Sequence, residues 1–351
     1  MKICFVADGQ SVHTVKLAGY FVKRGHEVWM VSFRQSDIPG VRWVMLGDGS
    51  LPGKWQYFRS ILRVRRSVRN IKPDILHGVY LCSYGVLAAF CGWKPLVLSA
   101  IGSDVLISPK KSLLIRLLVV FALKRATLIH CVAEILRKEL EKYRVRTEPK
   151  TVVFPWGVDM TIFKPAAKAA PGGIVVSTRN MEPIYDVATL IRAIPIVAAK
   201  KKNVKFVLAG KGSERQKLEN LARELKVSDR VQFPGELSRK GVAEQIGQAD
   251  VYVSTSLSDG ASQSLFEAMA CRIYPVVADI PGNREWIEDG INGSLFPCSS
   301  PDVLAEKIIY ALENPVVRNV CAEKNLETVR KKAGLAANME LLEKYYRGLA
   351  S

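Results

Sequence analysis

The chain has 351 residues, 48% of them apolar, and a formal net charge of +18. That length exceeds one ordinary core and predicts two domains, while no apolar run reaches the roughly 20 residues a membrane-spanning helix needs. The charge is uneven: residues 1–165 hold 26 Lys and Arg against 11 Asp and Glu, so the first half is suited to an anionic partner, either nucleic acid or acidic lipid.

The opening "MKICFVADG" is a short apolar run into a turn and not a cleavable signal, which gives a cytoplasmic expectation. Short β-branched runs then alternate with helical patterns. Strands are predicted at "KICFVA", "HEVWMVSF", "RWVML", "DILHG", "PLVLSA", "TLIHCV" and "TVVFP", with helices near 12–24, 57–71, 111–125 and 133–143. Residues 163–173, "FKPAAKAAPGG", lack apolar periodicity and predict a linker. A second series follows: "GIVVST", "VKFVLAG", "RVQF", "DVYVST", "YPVVA" and "GSLF". The fold class expected is α/β, with two doubly wound Rossmann-like domains, residues 1–165 and 172–334. Ligands of such sheets bind beyond the carboxyl ends of the strands, and a cleft between two such domains is the default site. The seven cysteines form no CxxC pair or Cys/His cluster, so they are expected to be reduced core residues, and no metal site is expected.

"SLSDGASQSLFEAMA", residues 256–270, is the most informative stretch. A buried strand runs into a glycine turn holding Asp259, and a helix start follows that Ser262 or Ser264 can cap. The free N–H groups of that helix make an anion site. Glu267 is expected within the first turn, where a carboxylate can accept hydrogen bonds from a ribose diol. Alone, these residues also fit a plain turn and a carboxylate that complements the helix dipole.

The stretch extended to "PVVADIPGNREWIEDGINGSLF" resembles the donor-binding segment of glycosyltransferase family 4, retaining enzymes of GT-B fold. The pattern is two acids separated by seven residues, then "EAMA", a strand, a glycine turn and "DG.NG". Further resemblances are "LAGKGSERQKLENLA" to the Gly-x-Gly turn, "RVQFPGEL" to the loop meeting the donor base, "FPWGVDMTIFKP" to the hinge, "GYFVKRGHEVWMVS" to the first-domain helix and strand, and "SAIGSDVL" to the Gly-Ser-Asp loop. They span about residues 1–315, and the family's final helix, here 335–351, tends to return to the first domain.

The resemblance implies that Glu267 holds the donor ribose, that Asp259 contacts the transferred sugar, and that Arg179 neutralises the diphosphate as the glycosidic bond breaks. The backbone from Gly260 and Ala261 through Ser262, Ser264 and Leu265 would meet sugar hydroxyls and diphosphate. Gly210, Lys211, Phe233 and Pro234 would line the rest of the donor site. In the first domain, Gly9, Ser11, His13 and Asp104 are candidates for the acceptor or diphosphate, with helix capping the alternative for Asp104. The implied donor is a UDP- or GDP-linked sugar, with no metal and no other cofactor. The chain departs from the family in several places: Asp259 replaces the usual Glu, Ile184 and Tyr185 stand where a Lys-Gly pair is common, Ile101 where a His is common, Trp156 where Asn is usual, and the first loop reads "DGQSVHT" in place of the usual glycine pair.

In "YFRSILRVRRSVRNI" an apolar stripe of Tyr57, Ile61, Val64, Val68 and Ile71 opposes Arg59, Arg63, Arg66 and Arg69. With "SPKKSLLIRLLVVFALKRA" it suggests a domain drawn to the anionic inner membrane face, where a lipid-linked or glycan acceptor is expected. A soluble acceptor stays open. A basic nucleic-acid-binding protein is the rival class, but no RRM, zinc-finger or helix-turn-helix signature is present and no nucleic acid is expected. A dehydrogenase would need GxGxxG after the first strand, which "VADGQSVHT" lacks. An epimerase would lack the "EAMA" to "DG.NG" segment. A donor-binding relative with weak turnover is the remaining alternative.

Overall fold

A computed structural model describes residues 1–47, 54–166 and 173–350. It divides into two compact units, Met1–Trp156 with Ala337–Ser351, and Gly157–Ala336. Most of the expected linker, residues 167–172, lies outside the described residues.

The first unit is a seven-stranded parallel sheet: β1 (Lys2–Val6), β2 (Glu27–Ser32), β3 (Val41–Met45), β4 (Ile75–Val79), β5 (Leu96–Ala100), β6 (Leu128–Cys131) and β7 (Thr151–Val153). Their spatial order is β3-β2-β1-β4-β5-β6-β7. The predicted runs all form strands: each is short and apolar, β4, β5 and β6 in the middle of the sheet are buried along their whole length, and the edge strands β3 and β7 are only partly covered. Helices cover the sheet at Val12–Lys23, Lys54–Ile71, Leu113–Arg125 and Glu134–Glu141. A π-helical turn at Leu81–Gly85 leading into helix Val86–Phe90 has no counterpart among the expected elements. Neither Tyr80 nor Gly85, the residues at its two N-cap positions, makes a side-chain cap bond.

A buried polar chain crosses this sheet. The Tyr346 hydroxyl meets His77 Nδ1, His77 Nε2 meets Ser99 Oγ at 2.7 Å, Ser99 Oγ meets His130 Nδ1 at 3.0 Å, and His130 Nε2 reaches the Phe154 carbonyl at 2.7 Å. Burial pushes both imidazoles down, His130 to about 4, so the chain is uncharged at neutral pH. Trp156, with its ring 4.5 Å from that of His130, packs over it. The final helix Leu335–Ala350 supplies Tyr346, which stacks on Phe21 at 5.0 Å. It also supplies Glu343, buried against His26 Nε2 (3.1 Å), Arg24 Nε (3.1 Å) and Arg347 Nη2 (2.6 Å).

The second unit is a six-stranded parallel sheet: β8 (Ile174–Ser177), β9 (Lys205–Ala209), β10 (Val231–Gly235), β11 (Val251–Ser254), β12 (Tyr274–Ala278) and β13 (Ser294–Phe296). The order is β10-β9-β8-β11-β12-β13. One core joins Leu190 and Ile194 of helix Val187–Lys200 to Leu304 and Ile308 of helix Pro301–Glu313 over Val175, Phe206 and Val276. The other lies under helix Gln263–Ala270, where Leu265, Phe266 and Met269 meet Tyr252 and Val277. Five of the seven free cysteines are buried, Cys82 is half-buried and Cys298 is exposed, so the core expectation fails at Cys298, which lies in the loop after β13.

Glu343 supplies a pH test. Burial alone would raise its pKa, but hydrogen bonds from Arg347, His26 and Arg24 outweigh it and hold the carboxyl at about 2. A depressed carboxyl stabilises the fold above its unfolded pKa, and that contribution disappears as pH falls through the folded value. Unfolding followed by circular dichroism is expected to show about 2 kcal/mol lost between roughly pH 4.5 and 2 in the wild type, and a flatter profile in Glu343→Gln.

Candidate functional site

In the second sheet the chain leaves β8 towards β9 and leaves β11 towards β12, in opposite directions. The crossover helices therefore lie on opposite faces, and a crevice opens beyond the carboxyl ends of β8 and β11. Arg179 follows β8 by two residues, and the turn 257–262 follows β11. The order of strands thus brings the two predicted groups together.

Arg179 Nη2 donates to Asp259 Oδ2 at 2.7 Å, and Nη1 donates to Ser262 Oγ and Ser264 Oγ, each at 3.0 Å. The arginine and aspartate side chains are 10% and 18% exposed, so the pair is shielded but reachable. The Tyr185 ring lies 4.2 Å from the guanidinium carbon, a cation–π contact, and Tyr252 OH meets Ser264 Oγ at 2.7 Å. Burial opposes the arginine's charge, but Asp259 and the two phenols raise its pKa above the ordinary value. The guanidinium is fixed in place and stays charged, an arrangement suited to an anionic oxygen.

Backbone contacts set this geometry. Leu257 N–H donates to the Ile184 carbonyl (2.9 Å) and Thr255 Oγ1 to the Tyr185 carbonyl (2.7 Å), tying the loop after β8 to the end of β11. Gly282 lies beneath the acidic turn: a Cβ there would stand 2.3 Å from the Asp259 carbonyl oxygen and 2.6 Å from that of Gly260. Gly210 adopts φ +156, and its missing Cβ leaves room for the Arg179 carbonyl, 2.5 Å from where that atom would be.

Two local expectations are corrected. Ser262 is the N-cap of helix Gln263–Ala270, but neither its hydroxyl nor that of Ser264 caps, because both are held by Arg179. Glu267 lies in the second turn, four residues after Gln263, and is half-buried. Helical side chains lean towards the amino end, so its carboxylate is carried back over the first turn. Leu265 buries its side chain in the core, and Ala261 is half-buried beside the buried Gly260. Lys211 pairs with Glu236 at 2.7 Å on the surface. Phe233 is half-buried and Pro234 exposed, at the carboxyl end of β10. Two residues of the site escaped the sequence reading, Tyr252 and Gly282. Tyr185 was read only as a departure from the usual lysine-glycine pair, not as a partner of Arg179.

The first unit modifies its candidates. Gly9 is buried, with the position of its absent Cβ 2.2 Å from the Arg34 carbonyl oxygen, so that side packs on protein and not on a ligand. Ser11 is the half-buried N-cap of helix Val12–Lys23, and its hydroxyl makes no cap bond. His13 is half-buried, and burial with nearby Lys16 pushes its imidazole down to about 4, so it is neutral at physiological pH. Asp104 is fully buried: its carboxylate accepts N–H bonds from Leu81 (2.7 Å), Gly102 (2.8 Å) and Ile101 (3.1 Å). Burial raises its pKa to about 6 against those bonds. It fastens the loop after β5 to the loop after β4, so the expectation that it holds an acceptor hydroxyl is replaced by this structural role. Among the described residues no His, Cys, Asp and Glu cluster could hold a metal ion.

Two doubly wound parallel sheets, one with an arginine and carboxylate cluster at its switch point, make the GT-B architecture of sugar-transferring enzymes. The family model described as "Glycosyl transferases group 1" matches residues 159–328, and "Glycosyl transferase 4-like" matches residues 2–133. The chain belongs to the family 4-like glycosyltransferases, and its donor class is a nucleotide sugar. It is 25% identical to a polypeptide of human phosphatidylinositol N-acetylglucosaminyltransferase over 91% of its length and 67% of the relative's. It is 21% identical to the gpi3 polypeptide of the corresponding Schizosaccharomyces pombe enzyme, over 98% and 78%. Anabaena HepE in complex with UDP and glucose superposes with a TM-score of 0.84 at 18% identity, over 99% of this chain and 100% of that one.

Two substitutions test the geometry. In Asp259→Asn the anion competing for Arg179 is gone, so UDP is expected to bind about 3- to 10-fold more tightly by calorimetry. In Gly282→Ala the turn carrying Asp259 must shift, and an expected fall in transfer of about 100-fold would come with an unfolding free energy lowered by only about 1–2 kcal/mol.

Proposed function

We propose that this protein is a retaining hexosyltransferase that moves a sugar from a UDP-linked donor to a lipid-linked or glycan acceptor at a membrane surface. The observation that carries the reading is the cluster of Arg179, Asp259, Ser262 and Ser264 in the crevice beyond β8 and β11. There Arg179 takes charge from the departing diphosphate, while the amino end of helix Gln263–Ala270 faces the same anion. Asp259, once the diphosphate engages Arg179, accepts hydroxyl hydrogens of the transferred sugar, and Glu267 accepts from the ribose.

In the proposed step the bond between C1 of the sugar and the phosphate oxygen breaks, and a bond from the acceptor oxygen to C1 forms on the same face. The acceptor's proton passes to an oxygen of the leaving phosphate, which needs no enzyme nucleophile. No metal and no cofactor beyond the donor enter this scheme. UDP is favoured over GDP because Anabaena HepE, one solved structure of this fold, holds UDP and glucose. A lipid acceptor is supported by the names of the human and fission-yeast relatives, both phosphatidylinositol glycosyltransferases. The basic helices of the first unit support work at the inner face of an anionic membrane. A donor-binding protein of weak turnover is the second reading, favoured by Ile184 in place of a second cation near Arg179.

Thermal unfolding with UDP, GDP, ADP or NAD, each at about 100 times its dissociation constant, tests the donor site, where a bound ligand adds about 2.7 kcal/mol. UDP alone is expected to protect the wild type, and Glu267→Ala to lose that protection. A labelled UDP-sugar supplied with phosphatidylinositol in EDTA is expected to give an α-linked product from an α-linked donor. Protection by no diphosphate overturns the donor site; protection without transfer to any lipid or glycan acceptor selects the second reading.

A further inference from the structure

In the first sheet the chain leaves β1 towards β2 and leaves β4 towards β5, in opposite directions, so its switch point lies between β1 and β4. The β1 side is closed by protein: Arg34 Nε donates to Asp8 Oδ1 at 3.0 Å, and Gly9 packs under the Arg34 carbonyl. On the β4 side, polar side chains reach solvent. Tyr80, the first residue after β4, is half-buried, and its hydroxyl meets Oγ of the exposed Ser103, just after β5, at 2.7 Å.

Tyr80 holds that place against a backbone preference. It adopts φ +74 and ψ +91, a region open to glycine and rare for a bulky side chain. Such a conformation persists only where its surroundings impose it, and it is found most at ligand sites. Both flanks of Tyr80 are fixed. Its N–H donates to the Ser99 carbonyl (3.1 Å), and its own carbonyl accepts from the N–H groups of Ser83 (3.2 Å) and Gly85 (3.1 Å). The next N–H, that of Leu81, is held by the buried Asp104. The turn that follows, Leu81–Gly85, is π-helical, a rare form frequent at functional sites. A glycine at position 80 would remove the strain together with the phenol.

The chemistry of the pair selects its ligand. Burial pushes the Tyr80 phenol up to about 12, so at physiological pH both groups are neutral hydroxyls. Two hydroxyls in contact spend one of their two hydrogens on each other, which leaves one hydrogen to donate and lone pairs on both oxygens to accept. A phosphate or carboxylate offers acceptors alone and uses only the hydrogen. A diol offers hydrogens and lone pairs together and uses both. Asp104 adds no free acceptor of its own, since its oxygens take the N–H groups of Leu81, Ile101 and Gly102.

We propose that Tyr80 and Ser103 form an acceptor subsite that reads a vicinal diol on a neutral six-membered ring, a sugar or a cyclitol, with the strained turn at Tyr80 setting the spacing of the two hydroxyls. The inference rests on the glycosyl-transfer reading above and deepens it, since it gives the polyol part of the acceptor to two named side chains. Asp104 is a positioning residue here: through Leu81 and Gly102 it fastens the loop of Tyr80 to that of Ser103.

Saturation-transfer NMR with myo-inositol and with methyl α-D-glucopyranoside, on the whole protein in excess UDP, tests the subsite. Saturation is expected to reach at least one of the two rings. Tyr80→Phe and Ser103→Ala, which each remove one hydroxyl and little packing, are expected to weaken that binding about 3- to 10-fold. Ser103→Thr keeps the hydroxyl and is expected to stay within about 2-fold of the wild type. Unfolding temperature and protection by UDP are expected to be unchanged in all three variants, and added inorganic phosphate is expected not to displace the ring. Saturation of neither ring overturns the proposal, as does equal binding by wild type, Tyr80→Phe and Ser103→Ala. Displacement by phosphate also overturns it and gives the pair to an anion. Protection by UDP is read in the same samples, so failure of the donor site and failure of the acceptor subsite are separately visible.

Discussion

The candidate site depends on a constraint of topology. A parallel sheet whose strands grow outward from the centre in both directions must part its crossover helices at one place, and there the loops after two adjacent strands face each other without a helix to cover them. In the second unit those strands are β8 and β11. Arg179 and Asp259 are separated by 80 residues in the chain, yet hydrogen-bond at 2.7 Å because each follows one of these strands. The flanking hydrogen bonds from Leu257 and Thr255 then fix the two loops together, so the separation of the charges is set by backbone and not by flexible side chains.

Fixing a lone arginine against a carboxylate has a consequence for binding. With Asp259 in place the local charge is close to balanced, and Ile184 removes the additional lysine usual at that position. In the donor site proposed above, a diphosphate would have to draw Arg179 partly away from Asp259, leaving the released carboxylate next to the sugar, where hydroxyl donors are available. On that reading two events follow from one bond: the anion is held, and the acid is freed for its second partner. Ser262 and Ser264 bind Nη1 and the Tyr185 ring lies against the guanidinium, so Nη2 is the nitrogen whose partner such an anion would replace.

Much of this was legible in sequence because the determining signals are local. Apolar β-branched runs such as "DILHG" and "PLVLSA" can be satisfied only as strands buried on both faces, and all thirteen predicted strands are present. Arg179 and Asp259 were legible through the resemblance and through their places at strand ends. What could not be read was whatever depends on a distant neighbour. Asp104 reads equally as a ligand contact or a cap, and its role is decided by the Leu81 N–H, which only the packing of two loops delivers. Gly9 suggests an open turn until the Arg34 carbonyl occupies the space. Gly282 carries no mark of its contact with the Asp259 turn. Ser262 has the composition of a cap, and its hydroxyl is taken by an arginine 83 residues earlier.

The uneven charge has its explanation at the same level. A +18 chain whose excess was spread evenly would repel itself without gaining a binding face. Here the acid-free helices lie together on one side of the first sheet, because successive crossovers in one direction leave no other place for them. The direction of those crossovers therefore decides two things at once. It gathers the arginines and lysines of these two helices on one face, and it leaves the carboxyl ends of β4 and β5, where the loops carrying Tyr80 and Asp104 are bound together, at the edge of the sheet. A basic, acid-poor surface and a strand edge that presents loops are thus two outcomes of one sheet geometry, and altering the strand order would separate them.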